Sequence, residues 1–132
     1  MLSVAFLAMG LAGCSRGPAV GQVSGKVTFK GKPVSEGTLT FINPTTGYAA
    51  EAGLQTDGGY VVETPEGGLV VGEYRVMVNP LRYRDTSNPR TPPSPVEKPA
   101  PNIPEKYRNP GRTSLRATVK PGPNTFNFDM TP

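Results

Sequence analysis

The sequence contains no histidine and no tryptophan, and its single cysteine is Cys14. Without imidazole the commonest general base and the commonest metal ligand are missing, and one thiol can close neither an internal disulfide nor a zinc site. Most hydrolase and metalloenzyme chemistries fall away, so the chain is expected to be no enzyme, with no cofactor and no metal. Long helical patterns are lacking too, because sixteen Gly and sixteen Pro are spread over 132 residues. Both residue types interrupt helix interiors and favour turns, which leaves short strands as the economical element. A chain of this length supports one domain with a modest core, burying roughly two thirds of its unfolded surface.

Met1 to Gly13 is almost wholly apolar. It is too short for the about 20 residues a membrane-crossing helix needs, but it suits the apolar region of a signal peptide. It ends in Leu11-Ala12-Gly13-Cys14, which resembles the lipobox of bacterial lipoproteins. There, small residues let the signal peptidase approach, and the cysteine thiol receives a diacylglyceryl group. The resemblance implies a signal peptide at 1–13, Cys14 as a lipidated mature N-terminus and a tether at 14–21. It also implies a location in the bacterial cell envelope, lipid-anchored to a membrane on its periplasmic or cell-surface side. Two or three acyl chains, at about 0.8 kcal/mol per buried methylene, would make the anchor durable. No Lys or Arg precedes the apolar run, which departs from the usual basic leader. The competing reading makes Cys14 a small apolar residue in a core.

From residue 22 onward the pattern has period two. Val23, Gly25, Val27 and Phe29 alternate with Ser24, Lys26, Thr28 and Lys30, as a half-buried strand requires. Gly31-Lys32-Pro33 turns the chain, 37–43 carries Leu39 and Phe41 inward, and 44–47 turns it again. A weaker segment, 48–55, leads through Thr56-Asp57-Gly58-Gly59 into 60–64. Tyr74, Val76 and Val78 mark the clearest strand, 72–79. Two more follow a long interruption: one with Leu115, Ala117 and Val119 inward, one with Phe126, Phe128 and Met130 inward, and 121–124 read as the turn between them. Seven strands of this kind predict an all-β fold, a seven-stranded antiparallel β-sandwich over 22–132.

The interruption, 80–113, is a Pro-rich insertion before the last two strands, holding nine of the sixteen prolines. Its middle is expected to be extended or disordered. With seven basic residues against three acidic ones, it accounts for the whole formal charge of +4.

Gly25-Lys26-Val27, Gly31-Lys32-Pro33-Val34, Gly37-Thr38-Leu39-Thr40-Phe41, Thr56-Asp57-Gly58-Gly59-Tyr60 and Gly72-Glu73-Tyr74-Arg75-Val76 together resemble the carboxypeptidase regulatory-like domain. The resemblance spans about residues 20–79 and implies a transthyretin-like (prealbumin-like) sandwich. It implies no catalytic residues, because such domains are accessory modules on peptidases, receptors and surface proteins. Ile103-Pro104-Glu105-Lys106-Tyr107 followed by two strands is similar to what small bacterial lipoproteins of this type carry, which implies a stand-alone secreted protein.

Two basic triplets carry the most informative chemistry: Arg82-Tyr83-Arg84 and Lys106-Tyr107-Arg108. An aromatic between two cations can stack on a ring while the charges meet phosphate, sulfate or carboxylate. The simpler reading is that Tyr83 and Tyr107 pin the ends of the loop to the sandwich. Asp57-Gly58-Gly59 reads as a plain turn, because a calcium loop would need further oxygen ligands. Glu63, Glu66 and Glu73 flank glycine-rich turns and read as solvating charges rather than as an acid-base pair.

The expected function is that of a non-catalytic envelope lipoprotein, a structural or interaction module on the outer face of a bacterial membrane. Its partners would be that membrane, through the N-terminal lipid, and an envelope protein or anionic polysaccharide, with no nucleic acid. One alternative is a binding module for anionic glycan or lipid headgroups through Arg82, Tyr83, Arg84, Lys106, Tyr107 and Arg108. Another is an accessory factor of a separately encoded hydrolase.

Overall fold

A computed structural model describes residues 19–132. The signal segment, Cys14 and most of the tether lie outside the described residues. The chain runs β1 (Val20–Phe29), β2 (Lys32–Pro33), β3 (Thr38–Ile42), β4 (Ala49–Gly53), β5 (Gly59–Val62), β6 (Leu69–Val70), β7 (Gly72–Asn79), β8 (Arg82–Asp85) and β9 (Ser94–Glu97). A 3₁₀ turn (Glu105–Tyr107), β10 (Arg116–Val119), β11 (Gly122–Thr125) and β12 (Phe128–Met130) complete it. The fold is all-β, as the period-two pattern requires. Each segment read as a strand holds one, and β2, β6, β8, β9 and β11 are additional.

One sheet, in the order β10-β7-β3-β4, is antiparallel throughout. The other is built on β1, whose ten residues are long enough to hold several partners end to end. Along one side lie β6, β5 and β2, all antiparallel. Along the other, β11 and β12 run parallel to β1, so this sheet is mixed rather than purely antiparallel. The chain leaves β10 in the first sheet and crosses to the second, which brings its last strands alongside β1 in the same direction.

Both sheets contribute to one core, a sandwich-like arrangement. Val23 and Val27 of β1, Tyr60 of β5 and Phe128 and Met130 of β12 meet Leu39 and Phe41 of β3, Tyr74, Val76 and Val78 of β7, and Ala117 and Val119 of β10. Phe41 sits at the centre, its ring centroid 6.0 Å from Tyr60, 6.3 Å from Tyr74 and 6.4 Å from Phe128. Burying a tyrosine requires a partner for its hydroxyl. Tyr60 Oη donates to the Phe126 carbonyl at 2.7 Å, and Tyr74 Oη donates to the Val70 carbonyl. Burial, reinforced by neighbouring Tyr48, pushes the Tyr74 phenol up to about 12; burial raises that of Tyr60 as well.

Two further expectations are corrected. The segment 121–124, read as a turn, contains most of β11, paired with β1 from Gly21↔Gly122 to Ser24↔Thr125. Pro123 is tolerated because β11 is an edge strand. The Asn124 amide replaces lost backbone pairing, donating to the carbonyls of Lys120 (2.8 Å), Gly122 (2.9 Å) and Gln22 (3.2 Å).

The Pro-rich segment, whose middle is expected to be extended or disordered, holds a paired strand there, β9. Its first half forms the β8–β9 hairpin, paired from Arg82↔Glu97 to Asp85↔Ser94. Its second half folds back so that Ile103 and Tyr107 are 0% and 3% exposed and join the core. Thr113 Oγ1 then donates to the Val76 carbonyl at 2.7 Å, holding the segment along the edge of β7 beyond the end of β10.

Candidate functional site

The two basic triplets have different fates. Arg82, Tyr83 and Arg84 lie on β8, where every residue is exposed, Tyr83 by 52%. Tyr83 therefore pins nothing. Its cross-strand partner is Val96 on β9, and the hairpin stands clear of the core.

Lys106, Tyr107 and Arg108 are engaged with the folded body. Tyr107 is buried, and its hydroxyl accepts the Thr131 N–H at 3.0 Å. Lys106 Nζ donates to the Pro132 carbonyl at 3.0 Å and lies 5.1 Å from the Tyr107 ring centroid. Arg108 Nε and Nη2 donate to the Ile103 carbonyl, and Nη2 also reaches the Ala100 carbonyl at 3.0 Å. Tyr107 thus pins its end of the insertion.

The triplets meet at one point. Glu97, on β9, pairs through Oε1 with Arg82 Nη2 at 3.6 Å and through Oε2 with Arg108 Nη1 at 3.3 Å. The Arg108 pair is the more sheltered, with the arginine side chain 23% exposed; the Arg82 side chain is 63% exposed and its pair is long. Water competes strongly there, and such a pair contributes little to stability. Arg82 is accordingly free to exchange Glu97 for another anion, and Arg84 beside it is exposed as well.

Arg82 and Arg108 also form one wall of a groove of about 620 Å³ across the outer face of the four-stranded sheet. Strand alternation turns Leu39 and Phe41 into the core and Thr38, Thr40 and Ile42 outward. Register places Thr40 between Glu51 of β4 and Met77 of β7, and Thr38 beside Asn79. Thr38 and Thr40 belong to the Gly37-Thr38-Leu39-Thr40-Phe41 stretch that marks the fold, which assigns them no ligand, and Met77 and Asn79 carry no motif. Only the pairing of three strands makes them neighbours, and period two indicated no more than that they face away from the core.

Two smaller hollows lie on the outer face of the β1 sheet. One, of about 380 Å³, includes Ser24, Val61 and Glu63; the other, of about 410 Å³, includes Lys26, Asp57 and Tyr60. Asp57 is occupied with its own turn, accepting the Gly59 N–H at 2.8 Å. Glu63, Glu66 and Glu73 are exposed. Among the described residues no group of His, Cys, Asp and Glu is arranged to hold a metal, and no helix is long and apolar enough to cross a membrane. The lipidation candidate, Cys14, lies outside the described residues.

No family model matches the chain, and no curated protein matches it.

Proposed function

We propose that the protein is a non-catalytic lipoprotein of the bacterial cell envelope, anchored through Cys14, whose β domain is an interaction module of the carboxypeptidase regulatory-like, transthyretin-like kind. The observation that carries the interaction-module part of this reading is the β8–β9 hairpin. Seven of its eight strand residues are exposed and Val96 is half-buried. A hairpin with so little apolar burial of its own is not stable alone. Here its base is tied to the folded body: Lys98 N–H donates to the Leu81 carbonyl at 2.7 Å, Lys98 Nζ pairs with Glu36 at 2.7 Å, and Arg108 holds Glu97. The arrangement presents a short, basic, Tyr-bearing ribbon outward, as a contact element would be presented.

The test has two parts. Metabolic lipid labelling with mass measurement of the mature N-terminus should find diacylglyceryl on Cys14 and none in Cys14→Ser; an unmodified thiol on a freely soluble wild-type protein would end the anchor reading. Site-specific crosslinking from Tyr83 in intact cells should capture an envelope component that the buried Tyr107 position does not.

The second reading, an anionic-ligand module, is favoured by the exposed side chain of Tyr83 flanked by Arg82 and Arg84. Salt-sensitive retention on acidic polysaccharide tests it. Changes at Arg82 and Arg84 should abolish retention, whereas Lys106 and Arg108 are already bound to the protein's own carbonyls.

A further inference from the structure

The outer groove of the four-stranded sheet holds a polar group that the fold does not use. Thr40 is 8% exposed, yet its hydroxyl enters no hydrogen bond among the described residues. No fully buried side-chain polar atom there lacks a partner, so the residual exposure of Thr40 must include its oxygen, which opens into the groove. A hydroxyl opening there can take a ligand's hydrogen bond in place of one to water.

Its neighbours define the ligand. Thr38 adds a second hydroxyl two residues along the same face, about 7 Å away. Asn79 uses its Nδ2 on the Arg108 carbonyl, which leaves Oδ1 to accept. Met77 supplies an apolar surface beside Thr40. Charge is polarised across this floor, with Glu51 on the β4 side and Arg82 on the opposite wall. Scattered neutral donors and acceptors with an apolar patch suit a sugar ring. One weakly held guanidinium at the side can pair with a single carboxylate per unit.

We propose that this groove binds an acidic oligosaccharide, with Thr38, Thr40 and Asn79 engaging ring hydroxyls and Arg82 exchanging the Glu97 carboxylate for that of the sugar. The proposal rests on the anionic-ligand reading and moves its centre from the hairpin to the sheet. It is independent of the lipid anchor.

The test is NMR titration and calorimetry of the full chain with tetragalacturonate, using maltotetraose as the uncharged control. Tetragalacturonate should bind and shift the amides of Thr38, Thr40, Met77 and Asn79. Thr40→Val, close in shape, should weaken binding about fivefold. Arg82→Gln, on an exposed side chain whose loss does not threaten folding, should weaken it about tenfold and remove most of the salt dependence. Equal binding of maltotetraose would overturn the proposal. Binding that Thr40→Val leaves unchanged while Tyr83→Ala and Arg84→Gln abolish it would also overturn the proposal, yet leave the hairpin reading standing. No binding of tetragalacturonate at all would remove both.

Discussion

Arg108 closes back on Ile103, its Nε and Nη2 donating to the Ile103 carbonyl at 2.9 and 2.6 Å. A planar guanidinium meets one carbonyl with two donors and still has Nη1 for Glu97. That clasp folds the second half of the Pro-rich segment into a compact turn and sets the fully buried Ile103 beside Gly37 at the edge of the core. It is also the point where the structural and candidate ligand-binding parts of the molecule touch, because Glu97 joins Arg108 to Arg82.

Arg108→Ala should therefore destabilise the fold by about 2 kcal/mol, the scale of charge-assisted hydrogen bonds to partly buried carbonyls. Arg108→Lys should cost nearly as much, since a single ammonium cannot reproduce the fork. Urea unfolding is the measurement, with the midpoint lowered and the slope unchanged. A lysine variant as stable as wild type would mean that charge alone matters.

Ile103→Ala should cost about 3 kcal/mol through the cavity it leaves. The same change in a loop lying loose over the surface would cost less than about 0.5 kcal/mol. Thermal unfolding of this one variant decides whether the second half of the insertion belongs to the core.

Gly25 stands opposite Tyr60 in the β1–β5 ladder, and a Cβ there would overlap the Phe126 carbonyl that accepts the Tyr60 hydroxyl. Gly25→Ala must push the approach to β12 away from β1 and break that bond as well. Its cost should exceed that of Tyr60→Phe, which removes one hydrogen bond worth about 1 kcal/mol. Chemical denaturation of both variants provides the comparison; a milder Gly25→Ala would show that the two strands are not held in close contact.

Stability should be lost on the alkaline side. A phenol whose folded value lies above its unfolded one favours the native state as long as it is protonated. That contribution is complete below about 10, the ordinary tyrosine value, and disappears as pH rises through the folded value. For Tyr74 the window runs from about 10 to about 12, and burial shifts Tyr60 in the same direction. With no histidine to titrate, Tm should change little between about pH 6 and 9 and fall above about 10. Tyr74→Phe should flatten that fall; an unchanged alkaline limb in this variant would contradict the assignment.

Local pattern carried seven of the twelve strands among the described residues and most of the core. Val23, Val27, Tyr74, Val76, Val78, Ala117, Val119, Phe128 and Met130 were all legible from alternation, because a pleated strand must place successive side chains on opposite faces. The candidate site was legible only at its charged wall. Arg82 and Arg108 stand out by type, whereas Thr38, Thr40, Met77 and Asn79 are ordinary outward residues that become one surface through the register of β4, β3 and β7. Of the two tyrosines, which would be buried and which presented could not be read from triplets of nearly identical composition.

The order of apolar and polar side chains along the chain, with its abundance of Gly and Pro, determined by itself that this protein is built from short strands around one core. The tertiary structure alone decided that Gly122–Thr125 lies parallel to β1, that proline-rich chain plugs the core with Ile103 and Tyr107, and that two arginines share Glu97. These features depend on backbone and side-chain partners far apart in sequence. Their free energy appears only once the sheets have formed, so no local periodicity can encode them.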